Sequence, residues 1–138
     1  MTLLSYALLT SPDPLQAGAT ATLTLIVSNP GHQAVTVQGI VVTLPVGTNA
    51  RDLTGDPTGL EMEVPDGWQA SPVNGEITLT PWDDSVAVAG EGLLFIFAGI
   101  GVNAAPGTCS ITVDETASTA AQPVATGRVA SIGLVKFP

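Results

Sequence analysis

Apolar and polar residues alternate along much of the chain. From Thr20 to Ser28, Ala21, Leu23, Leu25 and Val27 share one parity and Thr20, Thr22 and Thr24 the other, the period-two pattern of a half-buried strand. Residues 34–44 carry the same pattern with a change of phase: Val35 and Val37 are apolar at odd positions, Ile40, Val42 and Leu44 at even ones. A strand moves its buried set from one parity to the other only through a bulge or a change of sheet. Gly39 sits where that extra residue belongs. Between the two runs, Pro30-Gly31 suits the central pair of a type II turn. Such a turn does not match the twist of a tight hairpin, so the pattern predicts an arch from one sheet to another.

Further strands are predicted over residues 3–9, 76–80, 109–113 and 129–135, with Ile77, Leu79, Cys109, Ile111 and Val113 facing inward. Met62 and Val64 read as a short edge strand whose outward Glu61 and Glu63 blunt the edge. Residues 93–98, LLFIFA, are apolar throughout and read as a central strand covered on both faces. Residues 46–75 are punctuated by Gly and Pro and read as irregular, and the Ala-, Thr- and Ser-rich residues 116–127 read as a surface loop. No segment has helical periodicity with caps, and no internal repeat is found. Short strands separated by frequent turns predict an all-β immunoglobulin-like β-sandwich of about seven to nine mostly antiparallel strands, one domain spanning 1–138.

Composition narrows the function. Three basic residues (Arg51, Arg128, Lys136) against 12 acidic ones give a net charge of −9. Nucleic acid finds no basic stripe here, and anionic membrane surfaces are disfavoured likewise. No apolar run approaches the ~20 residues of a membrane span, so no membrane insertion is expected. The opening MTLLSYALLTSPDPLQAG lacks a basic start and a small-residue cleavage site and reads as a strand rather than a leader. The default compartment is then cytoplasmic, with export or the cell surface as the alternative.

The stretch SPDPLQAGATATLTLIVSNPGHQAVTVQGIVVTLPVGT resembles the start of the bacterial and archaeal immunoglobulin-like repeats of the DUF11 and CARDB-like families. The matching elements are Pro12 and Pro14, Ala17-Gly18, the alternating residues 20–28, Asn29-Pro30-Gly31 and Leu44-Pro45-Val46-Gly47. The likeness covers residues 11–48. It implies an immunoglobulin-like fold and a spacer or adhesive role within a larger multidomain bacterial protein, in contact with neighbouring domains of the same chain or with another protein.

Catalytic chemistry finds little support. Nucleophilic catalysis needs a positioned base beside the nucleophile, and the only imidazole is His32, next to a turn. Cys109 is the only cysteine and lies on an inward face, where a free thiol packs as a small hydrophobe. These two cannot supply the four ligands of a zinc site. Gly90-Glu91-Gly92 and Gly99-Ile100-Gly101-Val102 open no helix that would cradle phosphate.

Carboxylates and tryptophans remain. Asp83 and Asp84 follow Trp82 on a loop, where an aromatic beside acids suits contact with a partner or a sugar ring. Asp52, Asp56, Glu61 and Glu63 form a second acidic group, a candidate calcium set through its oxygen ligands, without the spacing of a calcium loop. Solvated loop carboxylates are the plain alternative for both groups. Of the two tryptophans, Trp68 is expected partly buried and Trp82 exposed. The last residues, SIGLVKFP, carry an apolar strand into Phe137 and Pro138, which are expected to form part of a domain interface with Phe137 loosely packed or exposed. A non-catalytic structural or interaction module is the expected function. The alternative is a carbohydrate- or ligand-binding module using the Trp82 loop, with calcium as an optional ligand.

Overall fold

The computed structural model describes residues 2–90 and 92–138; Met1 and Glu91, the middle of the Gly90-Glu91-Gly92 stretch, lie outside the described residues. The strands in chain order are β1 (Ser5–Ser11), β2 (Leu15–Gln16), β3 (Thr20–Ser28), β4 (Val35–Thr43), β5 (Glu61–Glu63), β6 (Trp68–Val73), β7 (Glu76–Pro81), β8 (Val86–Val88), β9 (Leu93–Gly101), β10 (Gly107–Ser118) and β11 (Ala125–Phe137). Among the described residues there is no helix. The smaller sheet has the order β1-β3-β9-β5, and the larger β2-β11-β10-β4-β7-β6, with β8 paired to β4. Every ladder is antiparallel except the short one between β2 and β11. The strand count exceeds expectation because β2, β5 and β8 are fragments of two or three residues.

The alternation seen in the sequence becomes the core. Leu23, Leu25 and Val27 from β3, Phe95 and Phe97 from β9, Val37, Ile40 and Val42 from β4, and Ile111 and Val113 from β10 are fully buried in one cluster between the sheets. The predicted arch is present, since β3 lies in the smaller sheet and β4 in the larger. The bulge is present too. Thr116 pairs with Gly39 and Ala117 with Val37, so Gln38 is the extra residue and the buried parity changes there.

Several expectations change. The connection at Asn29 is not a type II turn, because Gly31 does not have positive φ. The Asn29 side chain builds it instead: its amide donates to the carbonyls of Gln33 and Val88, and its oxygen accepts from the Gly31 N–H. Strand β9 is covered on one face only; Phe95 and Phe97 are buried while Leu94 is 51% exposed. Residues 116–118 and 125–127, expected in a loop, extend β10 and β11, leaving only 119–124 to connect them. Residues 68–73, expected to be irregular, form β6, which pairs with β7 across a tight Asn74-Gly75 turn with both residues at positive φ. Asn-Gly is the favoured pair for that turn. Pro72 is tolerated because β6 is an edge strand.

Candidate interaction surface

Two buried ionisable side chains, Glu115 and Lys136, hold the segments that border a surface groove. Glu115 faces inward from β10 in series with Cys109, Ile111 and Val113 and is almost fully buried. Its carboxylate reaches across to the opposite sheet and accepts hydrogen bonds from the Leu3 N–H (2.7 Å), the Leu4 N–H (3.0 Å) and the Tyr6 hydroxyl (2.8 Å). Burial first, then the neighbouring Glu115 charge and hydrogen bond, push the Tyr6 phenol well above its ordinary range. The carboxylate thus anchors the start of β1, whose Leu8 and Leu9 follow.

Lys136 is the second. It is 1% exposed, with its ammonium donating to the Asn49 and Asp52 carbonyls and to Asn103 Oδ1. The Asn103 amide donates in turn to the carbonyls of Gly47, Asn49 and Asp52. The loop from Pro45 to Thr54 is therefore wrapped around an internal cation. Because alternate side chains point to opposite faces, burying Leu134 and Lys136 turns Val135 and Phe137 outward.

The outward residues line a groove of about 470 Å³ between β1 and β11, with Leu8, Leu9, Leu15, Val135 and Phe137 among its walls. Leu9 is 58%, Val135 46% and Phe137 48% exposed. The groove exists because the chain changes sheets at Pro12-Asp13-Pro14. It leaves β1 beside β3 and rejoins as β2 beside β11, where it pairs with only Lys136 and Phe137. Phe137 is exposed, as the sequence reading expected, and Pro138 is exposed beside it.

The other expected site residues are dispersed. Trp68 is buried more deeply than expected and meets Phe95 edge-to-face with ring centroids 5.1 Å apart. Trp82 is 66% exposed in the turn after β7, its backbone N–H donating to the Gly67 carbonyl at 2.8 Å, with Asp83 and Asp84 exposed beside it. Asp52 accepts from the Asn49 N–H. Asp56 accepts from both the N–H and the hydroxyl of Thr58, which hold its carboxyl below the usual range. Glu61 and Glu63 are exposed on the edge strand β5. Among the described residues no three His, Cys, Asp or Glu side chains converge in a way that could hold a metal ion, and the Asn49 and Asp52 carbonyls are already taken by Lys136. His32 is exposed, and burial pushes the Cys109 thiol upward. No helix among the described residues is long and apolar enough to cross a membrane.

Sequence reading missed Glu115, Lys136, Leu9 and Val135. A signal for Glu115 was present, as the one acidic residue in phase with Cys109, Ile111 and Val113. Lys136 carries the same kind of signal in phase with Leu134.

No protein-family model matches the chain, and no curated protein matches it. Among solved structures it is similar to an uncharacterised protein from Nocardia farcinica with an immunoglobulin-like fold, at 17% identity over 98% of both chains with a TM-score of 0.56. It is also similar to part of a GH20 exo-β-N-acetylglucosaminidase from Vibrio harveyi in complex with N-acetylglucosamine. That match has 13% identity and a TM-score of 0.52, and covers 99% of this chain but 19% of the enzyme. The fold of this chain is an immunoglobulin-like all-β fold.

Proposed function

We propose that this chain is a non-catalytic interaction module whose contact surface is the groove between β1 and β11. The exposure of Leu9, Val135 and Phe137 together in one groove carries this reading, since a concave, mostly apolar surface suits a bound partner. The dispersed carboxylates, the solvated His32 and the buried Cys109 add no positioned acid, base or nucleophile. The likeness of residues 11–48 to the DUF11 and CARDB-like repeats points the same way, toward a module that works by contact within a larger bacterial protein.

A second reading rests on Trp82, which stands exposed beside Asp83 and Asp84 and offers a ring face to a sugar or peptide. One experiment separates the two. The immobilised chain is exposed to lysate of its source organism and to a glycan array, beside a Leu9→Asp/Phe137→Asp variant and a Trp82→Ala variant. The groove reading expects proteins retained by the native chain and by Trp82→Ala but not by the groove variant. Retention unaffected by the groove substitutions, or glycan binding lost with Trp82→Ala, contradicts it.

A further inference from the structure

The groove is bounded on one side by an open strand edge. The ladder between β10 and β11 runs without a register shift from Ile132 to Lys136. At Phe137 the carbonyl faces away from β10, since it accepts from the Ala17 N–H of the segment after β2 at 2.8 Å. Alternation along a strand then turns the N–H and C=O of Gly133, in phase with Phe137, to that same side. No strand lies there: β2 pairs only with Lys136 and Phe137. Pro12 and Pro14 have no N–H with which to prolong it. At the other end, the bulge between Val129 and Ile132 closes the stretch.

The two strand edges that border the groove, β11 and β1, differ from the other sheet edges. β5 and β8 are three residues long, and β5 carries Glu61 and Glu63 outward. β6 carries Pro72. These are the usual devices that blunt an edge against pairing. Residues 130–135 of β11 contain no charge and no proline, and neither does β1, which faces it across the groove.

We propose that the open edge of β11 at Gly133 accepts an extended segment of a partner protein as an added strand, with its apolar side chains seated in the groove. The inference rests on the interaction-module reading and adds its mode, β-strand addition. Unpaired backbone groups call for an extended occupant. Leu9, Val135 and Phe137 call for apolar residues at alternate positions. Charge selects against a second copy and against acidic segments: the chain carries −9 overall, and the charged residue in the groove is Asp13. The partner segment is therefore apolar at alternate positions and neutral or basic elsewhere.

The test selects displayed random peptides of strand length on the full chain. Enriched peptides alternate apolar residues, lack acids, and slow hydrogen exchange at the Gly133 amide when bound. Gly133→Ala keeps the donor and meets open space around its Cβ, so it binds within about twofold of native, whereas Gly133→Pro removes the donor and weakens binding about tenfold or more. Peptides lost with Leu9→Asp but retained by Gly133→Pro overturn strand addition and leave the groove reading standing. Failure to enrich any groove-binding peptide overturns both. If Gly133→Pro does not fold, exchange at the native Gly133 amide decides: no slowing in the complex overturns the proposal.

Discussion

Replacing Glu115 with Gln exchanges one buried carboxylate oxygen for an amide nitrogen and removes one charge. The native carboxylate accepts from three donors, the N–H groups of Leu3 and Leu4 and the Tyr6 hydroxyl. Hydrogen bonds to a charged group contribute about 1.5–3 kcal/mol each and neutral ones about 0.5–1.5 kcal/mol. A Gln side chain keeps two of the three as neutral bonds and turns N–H against N–H at the third. Two weakened bonds lose about 1 kcal/mol each and the lost one about 2 kcal/mol, a gross loss near 4 kcal/mol. Removing the charge recovers part of its desolvation cost, which offsets about half of that. The expected net destabilisation is about 2 kcal/mol. In urea denaturation this lowers the midpoint by about 1 M with an unchanged slope. Hydrogen exchange localises the effect: the Leu3 and Leu4 amides lose protection while the β10–β11 ladder keeps its own. An unchanged or raised midpoint refutes the view that this carboxylate anchors β1, and with it the account of how one wall of the groove is held.

Three further outcomes follow from the interior. Tyr6 has its pKa raised from an ordinary value of 10.0, so above about pH 10 the unfolded chain loses this proton while the folded chain keeps it. Stability is full below that pH and falls above it by about 1.4 kcal/mol per pH unit; Tyr6→Phe removes this component of the alkaline decline, and an unaltered decline contradicts the assignment. Trp68→Ala, which empties the contact with Phe95, lowers stability by about 3–5 kcal/mol in the same assay, and a loss below about 1 kcal/mol means the ring is not in the core. Gly75→Val puts a β-branched side chain at φ +85° with its Cβ against Val46 Cγ2 and the Leu44 carbonyl. It destabilises the β6–β7 hairpin by about 2 kcal/mol or more, read by urea denaturation and by faster exchange confined to β6 and β7; a neutral effect contradicts the turn geometry.

Strands that bury one face were legible because period two survives in the sequence: β3, β4 and β7 follow from Leu23 and Leu25, from the phase change at Gln38-Gly39, and from Ile77 and Leu79. The strands that escaped lack that contrast. β6 carries Ser71-Pro72, which reads as a breaker, and only its edge position tolerates the proline. The outer parts of β10 and β11 are Thr, Ala and Ser on both parities. Leu94 misled because its run is apolar on both parities, although Phe95 and Phe97 are buried in the core while Leu94 is exposed. For the candidate surface, Phe137 was legible from its place after an apolar strand. Leu9 and Val135 were not, because their meeting depends on the chain crossing between sheets at Pro12–Pro14, a long-range arrangement that local pattern does not encode. Glu115 and Lys136 were overlooked for a related reason. Their alternation marks them as inward, but their partners lie in distant loops and in the opposite sheet.

The most direct test of the proposed contact surface is carbene footprinting of the chain alone and together with the protein fraction it retains from source lysate. Labelling of Leu9, Val135 and Phe137 is expected to fall in the mixture while labelling of Trp82 is unchanged, as the groove proposal requires. Loss of labelling at Trp82, with the groove residues labelled as before, contradicts it.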